Sequence, residues 1–414
     1  MFAEIIMSKR QKIKRQKLDS DNNSNSMTSN RPNNSDQLSE LPQHLIEIIL
    51  SYLLIHEAAK TSILSKSWKQ KWHTVPWITI NSKSWLSIRQ SESMVNCILN
   101  QHIGTIQKFV IVINRIDLTM TLQAWLYILI KNSIQDLSLV CTKDSNKTIK
   151  LPDNLFSCQQ LRHLNLSHLF TLTKLPCSYK GFKNLVTLEL RKLSTTRLIF
   201  ESVISNCLLL ENIIVKSVSF VGVLNMNVPK LKFFSFGGEV NSISFNSNPL
   251  LSVLSIDLYK PEFKFGKCYR LQTDNIKFTI PELPSALEEL HFRWKTRKWS
   301  IAVTGLIQVL LSCKGHLRAL QVHDFCFKDK NYVSALFDLN ELLPSLHTLI
   351  IKVGTNYSLL SSLFNSEIEL CTNRATFNWR DAAKALLSLN LLHSFGNQKK
   401  NLLSLATWRT NCVK

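Results

Sequence analysis

The sequence predicts an α/β repeat protein headed by a small helical unit. Three observations carry that expectation: an apolar stretch at residues 41–76 with helical periodicity, a six-residue apolar pattern that returns ten times behind it, and few Gly (10) and Pro (11) among 414 residues. The scarcity of Gly and Pro argues against a loop-rich β-sandwich and suits a regular repeating structure.

A chain of this length exceeds a single compact core, so it needs two domains or an array that grows by repetition. With 45% hydrophobic and 19% charged residues, general disorder is excluded. The net charge of +21 is unevenly spread: +4 over 1–35, zero over 36–80, +11 over 81–370 and +6 over 371–414. Ten cysteines stand at least thirteen residues apart, so no CxxC or zinc-ligand spacing exists and reduced, separately buried thiols are expected. The sequence contains neither a signal-peptide pattern nor an apolar run of membrane-spanning length, so the expected location is intracellular, in nucleus or cytoplasm.

Residues 1–35 read as a disordered tail, basic and then rich in Asn and Ser. Lys9, Arg10, Lys12, Lys14, Arg15 and Lys17 form a cation run that reads either as a nuclear-targeting signal or as a solvated charge cluster.

Residues 36–80 form the next unit. Ile46, Ile49, Leu50 and Leu53 recur at i, i+3, i+4 and i+7 behind Pro42, which marks one helix with a core face. Leu45, Ile48 and Tyr52 add a second apolar stripe, so the helix is greasier than a surface helix needs to be and something must cover it. Leu64, Trp68 and Trp72 share a face of a third helix, which Pro76 closes. Three short helices without disulfide or metal are too small a core to stand alone, so the expected staple is another protein.

After a linker helix at 81–105, the pattern apolar-x-x-apolar-x-apolar begins at residues 106, 134, 161, 185, 210, 231, 251, 287, 317 and 346. Most of the spacings lie in or near the 20 to 29 residues of a leucine-rich repeat. Each repeat should supply a short strand with apolar side chains inward and variable ones outward, and stacked neighbours should bury a continuous core. Scattered strands of a two-layer sheet are the alternative. The array is expected over 106–355, and residues 356–414 keep neither its phase nor a readable role.

Two segments carry a family resemblance. Leu41-Pro42, Ile46, Ile49-Leu50, Leu53, Leu64-Ser65-Lys66, Trp68 and Trp72 are spaced as in a plant-type F-box, with Leu54-Ile55 and Ser67 as departures. MVNCILNQHIGTIQKFVIVI, LPDNLFSCQQLRHLNLSHL, YKGFKNLVTLELRKL and VISNCLLLENIIV resemble successive segments of plant F-box/LRR proteins of the type that often end in an FBD domain. No FBD pattern is recognisable after Val353.

The resemblance implies a three-helix F-box followed by a leucine-rich repeat solenoid. It also implies the substrate-recognition subunit of an SCF-type ubiquitin ligase, itself non-catalytic and without cofactor, linked through a Skp-type adaptor to a cullin. Leu41, Pro42, Ile46, Ile49, Leu50, Leu53, Leu64, Trp68 and Trp72 become the candidate adaptor residues. The variable strand positions of the concave side become the candidate target surface: Arg162, His163, Asn165, Glu189, Asn212, Lys232, Phe233, Glu288, Glu289, His291, Arg318 and His347.

A ligase-independent scaffold binding an acidic protein or RNA is the alternative, favoured by the +11 over 81–370 and opposed by the mixed signs of these positions. No nucleophile, phosphate-cradling or metal-binding motif occurs, so neither catalytic nor metal residues are expected.

Overall fold

The computed structural model describes residues 41–81, 88–113, 119–141, 148–168, 170–245, 248–259, 283–294, 316–325, 348–353 and 368–371. They belong to two compact units, one built mainly from residues 1–199 and the other mainly from 210 onward.

The first unit opens with helix α1 (Gln43–Ser51), which starts directly behind Pro42 and buries Ile46 and Leu50. Helix α2 (Ile55–Lys60) follows after a break at Leu54, whose N–H donates to the Glu57 carboxylate at 3.4 Å, and it buries Ile55, Ala58 and Ala59. The third expected helix is a 3₁₀ segment, Ser67–Thr74, behind a short 3₁₀ turn at Thr61–Ile63. Its backbone carbonyls are claimed by side chains: Thr74 donates to Lys71 at 3.1 Å and Ser62 to Lys69 at 3.3 Å. Such bonds compete with the α-helical ladder, and the tighter turn still places Trp68 and Trp72 inside.

The chain then enters strand β1 (Trp77–Asn81), so the expected boundary at residue 80 falls within a strand. β1 pairs in parallel with β2 (Lys108–Ile113), β2 with β3 (Asp136–Cys141), β3 with β5 (His163–Ser167) and β5 with β7 (Thr187–Arg191). Parallel neighbours need crossovers. Helices α3 (Ile88–Gln101) and α4 (Thr119–Lys131) supply the first two, tied together by Trp125 Nε1 donating to Asn96 Oδ1 at 2.7 Å. Later crossovers contain a 3₁₀ turn (Asp153–Ser157) and a small parallel sheet of β4 (Ile149–Lys150), β6 (Phe170–Leu172) and β8 (Ser194–Thr195).

Helix α5 (Arg197–Ser205) leads into the second unit. There β9 (Asn212–Asn225), β10 (Phe233–Ser244), β11 (Val253–Leu258), β12 (Glu289–Trp294), β13 (Ala319–Phe325) and β14 (Thr348–Val353) pair in parallel in that order. β15 (Ile368–Cys371) is antiparallel to β14.

Each of the ten recurring motifs places a strand two residues after its start, from Lys108 to Thr348. The second and third apolar positions are the core: Phe109, Leu137, Leu164 and Leu188 stand in one row of the first unit, and Ile213, Phe234, Leu254 and Leu290 in one of the second, all at most 4% exposed. Val75, Ile78 and Ile80 fit the same pattern and are fully buried, so β1 is an eleventh copy hidden behind the helical unit.

β9 and β10 run longer than their neighbours because both bend together. Ser217 adopts a φ of +56° and Gly238 a φ of +142° where their register shifts. A Cβ on Gly238 would sit 1.9 Å from the Val218 carbonyl oxygen, so only glycine fits. The bend is latched by Tyr259, whose hydroxyl accepts from the Ser217 N–H at 2.9 Å and lies 2.8 Å from Ser217 Oγ.

Candidate docking surfaces

The apolar residues of the helical unit divide into two sets. Ile46, Leu50, Trp68 and Trp72 are buried within the chain, each under 8% exposed. Leu41 and Leu53 are half-buried, while Pro42, Ile49 and Leu64 are exposed. The core face read from the sequence as Ile46, Ile49, Leu50 and Leu53 is therefore turned: Ile49 is 48% exposed and belongs to the opposite stripe. That stripe consists of Leu45, Ile48, Ile49 and Tyr52, spaced i, i+3, i+4 and i+7 on α1 and all open to solvent. Ile63 and Leu64 are also exposed. The second stripe was visible as excess hydrophobicity, yet which stripe faces inward depends on the packing of the 3₁₀ segment.

That packing is held by polar bonds at the foot of α1. Gln43 Nε2 donates to Glu47 Oε1 at 2.9 Å and to Thr74 Oγ1 at 3.1 Å, and Lys71 Nζ donates to Gln43 Oε1. At the other end Tyr52 meets Trp77 of β1 edge to face, with ring centroids 5.9 Å apart.

On the sheets, the residues that alternate with the core positions share the opposite face, most of it at least half-open but buried at Ser235. In the first unit the register sets Asp136 beside His163 and Thr187, and Ser138 beside Asn165 and Glu189. In the second it sets Asn212, Phe233, Val253 and Glu289 in one row, with Ile214, Ser235, Ser255 and His291 in the next. His163, Asn165 and Glu189, and separately Asn212, Phe233, Glu289 and His291, therefore share a face as expected within their own units.

Arg162, Lys232, Glu288 and Arg318 do not. They lie one residue ahead of their strands, on the parity of the core leucines, and are exposed at the rim where the chain enters the sheet. Their backbones form a row of their own: Lys232 N–H donates to Glu211 O at 2.8 Å, Ser252 to Lys232 at 3.0 Å, Glu288 to Ser252 at 2.8 Å and Arg318 to Glu288 at 2.7 Å. Period-2 alternation starts only with the strand, so it does not extend back to these positions. His347 lies outside the described residues, as do Lys9, Arg10, Lys12, Lys14, Arg15 and Lys17.

Rim pairs with rim and face with face. Lys232 Nζ stands 3.0 Å from Glu211 Oε2, and Arg318 Nη1 stands 4.0 Å from Glu288 Oε2. On the faces, Arg191 pairs with Glu189, His163 lies 3.8 Å from Asp136, and His291 lies 3.6 Å from Glu289. The positive excess of the repeats is thus locally offset at these positions. Sequence reasoning passed over Lys216, Asp257 and Arg293, the next register row of the second unit, because they stand beyond the last apolar position of the motif.

Buried thiols are not reactive groups here. Burial pushes the Cys141 thiol up to about 11 and Cys158 up to about 12. Among the described residues no cluster of three His, Cys, Asp or Glu is placed to hold a metal, and no helix is long and apolar enough to cross a membrane.

Comparison with known proteins agrees with this geometry. The F-box domain family matches residues 38–78, and the LRR repeats of the FBD-associated F-box protein At5g56370 match residues 122–271. From Arabidopsis thaliana, the F-box/FBD/LRR-repeat protein At1g13570 is 29% identical over 77% of this chain and 76% of its own length. The FBD-associated F-box protein At5g22730 is 24% identical and the F-box/FBD/LRR-repeat protein At5g56420 29%, the matches spanning 45% and 48% of their lengths and about half of this chain. The front of the chain is thus similar to the F-box domain family, and the part behind it to the leucine-rich repeats of plant F-box/FBD/LRR-repeat proteins.

Proposed function

We propose that this chain is the substrate-recognition subunit of an SCF-type ubiquitin ligase, docking a Skp-type adaptor through its helical unit and a target protein through its sheet face. The observation that carries the reading is the exposed stripe Leu45, Ile48, Ile49 and Tyr52, on a helix whose other side is fully packed. A contiguous apolar stripe in a small helical unit is a protein-docking surface rather than a packing remainder. In this reading the helices and 3₁₀ segment 41–74 constitute the F-box, the parallel strands stack as a solenoid, and the adaptor connects the chain to a cullin.

The chain contributes no reacting group. It holds a target lysine near activated ubiquitin and raises its effective concentration. The self-paired ions of faces and rim favour a protein target of mixed polarity over RNA, since a nucleic-acid surface needs cations left over for phosphates.

The test is co-purification with a Skp-type adaptor of the wild-type chain and of a Leu45→Ala, Ile48→Ala, Tyr52→Ala variant. The variant should lose the adaptor while keeping its fold. Equal recovery of adaptor by both chains removes the reading.

A further inference from the structure

The cations of the helical unit stand close together with no carboxylate among them. From Lys60 to Lys71 the chain holds Lys60, Lys66, Lys69 and Lys71 and no carboxylate. Lys60, Lys66 and Lys69 are exposed, and among the described residues none of them forms an ion pair, whereas Arg191, Lys232 and Arg318 each have a carboxylate partner. Lys71 is turned toward α1 and donates to Gln43. The nearby Glu57 is engaged with the Leu54 N–H. Between these lysines stand Ile63 and Leu64, 40% and 62% exposed.

A favourable interaction with the α2 helix dipole accounts for Lys60, at its last turn, but Lys66 and Lys69 lie beyond any α-helix end. Unpaired cations flanking exposed apolar side chains leave a surface that a purely apolar partner would not complement. Its positive field is also felt locally: the pKa of His56 is lowered, first by burial and then by Lys60.

We propose that Lys60, Lys66 and Lys69 form a cationic rim around Ile63 and Leu64, and that this rim selects an adaptor surface that is apolar at its centre and acidic at its edge. The inference rests on the reading of the helical unit as the adaptor-docking element and adds the chemistry of the partner's edge. A rim of this kind acts on encounter: opposite charges steer the partner and speed association, and the effect fades as salt screens it. The apolar contacts act on residence instead.

The experiment measures association and dissociation rates of the full chain with a purified plant Skp-type adaptor at low and high ionic strength. The Lys60→Glu, Lys66→Glu, Lys69→Glu variant should associate about tenfold more slowly at low salt and lose most of the wild-type salt dependence. The same three positions changed to Gln should fall between the two, and they serve as the charge-removal control if the reversed chain fails to fold. Leu64→Ala should dissociate faster while keeping the wild-type salt dependence. Wild-type association rates and salt slopes in both lysine variants overturn the rim. Absence of binding by the wild-type chain overturns the docking reading itself, and the rim with it, so the two failures are told apart by the wild-type arm alone.

Discussion

Two isoleucines three residues apart on α1 provide the sharpest test of the structure, because sequence spacing assigns them to one face and the fold assigns them to two. Ile46 is fully buried and Ile49 is 48% exposed. Truncating Ile46 to Ala removes three buried carbons, worth about 0.8 kcal/mol each in transfer, and leaves a cavity in the core, for a total of about 2 to 4 kcal/mol. Truncating Ile49 removes atoms already half in water, so its stability cost is at most about 1 kcal/mol. Adaptor affinity should move the other way, Ile49→Ala weakening it by about 1 to 2 kcal/mol, or five- to thirty-fold in Kd. Urea unfolding followed by tryptophan fluorescence reads the first quantity and titration with adaptor, under conditions where both variants stay folded, reads the second. If Ile49→Ala destabilises as much as Ile46→Ala, the orientation of α1 described here is wrong.

Four further outcomes are expected. Gly238→Ala should destabilise the second unit by several kcal/mol, since its Cβ would meet the Val218 carbonyl; an unchanged melting temperature contradicts the bend. Proximity labelling should show partners lost on Phe233→Ala with His291→Ala but retained on charge reversal at the rim residues Arg162 and Arg318; the opposite pattern places target capture at the rim. Cys158, with its pKa raised to about 12, should stay unmodified by a thiol reagent at pH 8 in the folded chain while exposed Cys177 reacts, as peptide mapping would show; labelling of both at equal rate denies the burial. Residues 1–20 fused to a reporter should shift it toward the nucleus, and a distribution insensitive to replacing the six cations with Ala rejects that role.

The repeats were legible in the sequence because one signal, apolar spacing, fixes both strand position and core. All ten motif starts predicted a strand, and the second apolar position of nine of them, from Phe109 to Leu320, is buried. Three things were not legible, for different physical reasons. The rim residues Arg162, Lys232, Glu288 and Arg318 look like face residues because they are variable positions of the motif, but they precede their strands on the parity of the core leucines, and are exposed because the alternation that would turn them inward has not yet begun. The packing face of α1 was ambiguous because both stripes are apolar, and only tertiary packing against the neighbouring elements decides between them. Strand β1 was masked by its neighbours: Val75-Pro76-Trp77 reads as the end of a helical unit, and Pro76, which has no N–H, still supplies the carbonyl that accepts from Gln107 and Lys108 at 2.9 and 3.1 Å.

That hidden strand bears on how the protein can be divided. A repeat module cut at residue 80 would discard most of β1 and leave β2 as a bare edge, with Phe109 and Ile111 beneath it and a row of unpaired N–H and C=O groups open to other chains. Such a fragment would self-associate for reasons unrelated to any biological partner. A fragment beginning ahead of Val75 keeps its end strand, and the helical unit thereby doubles as the lid that lets the array stop.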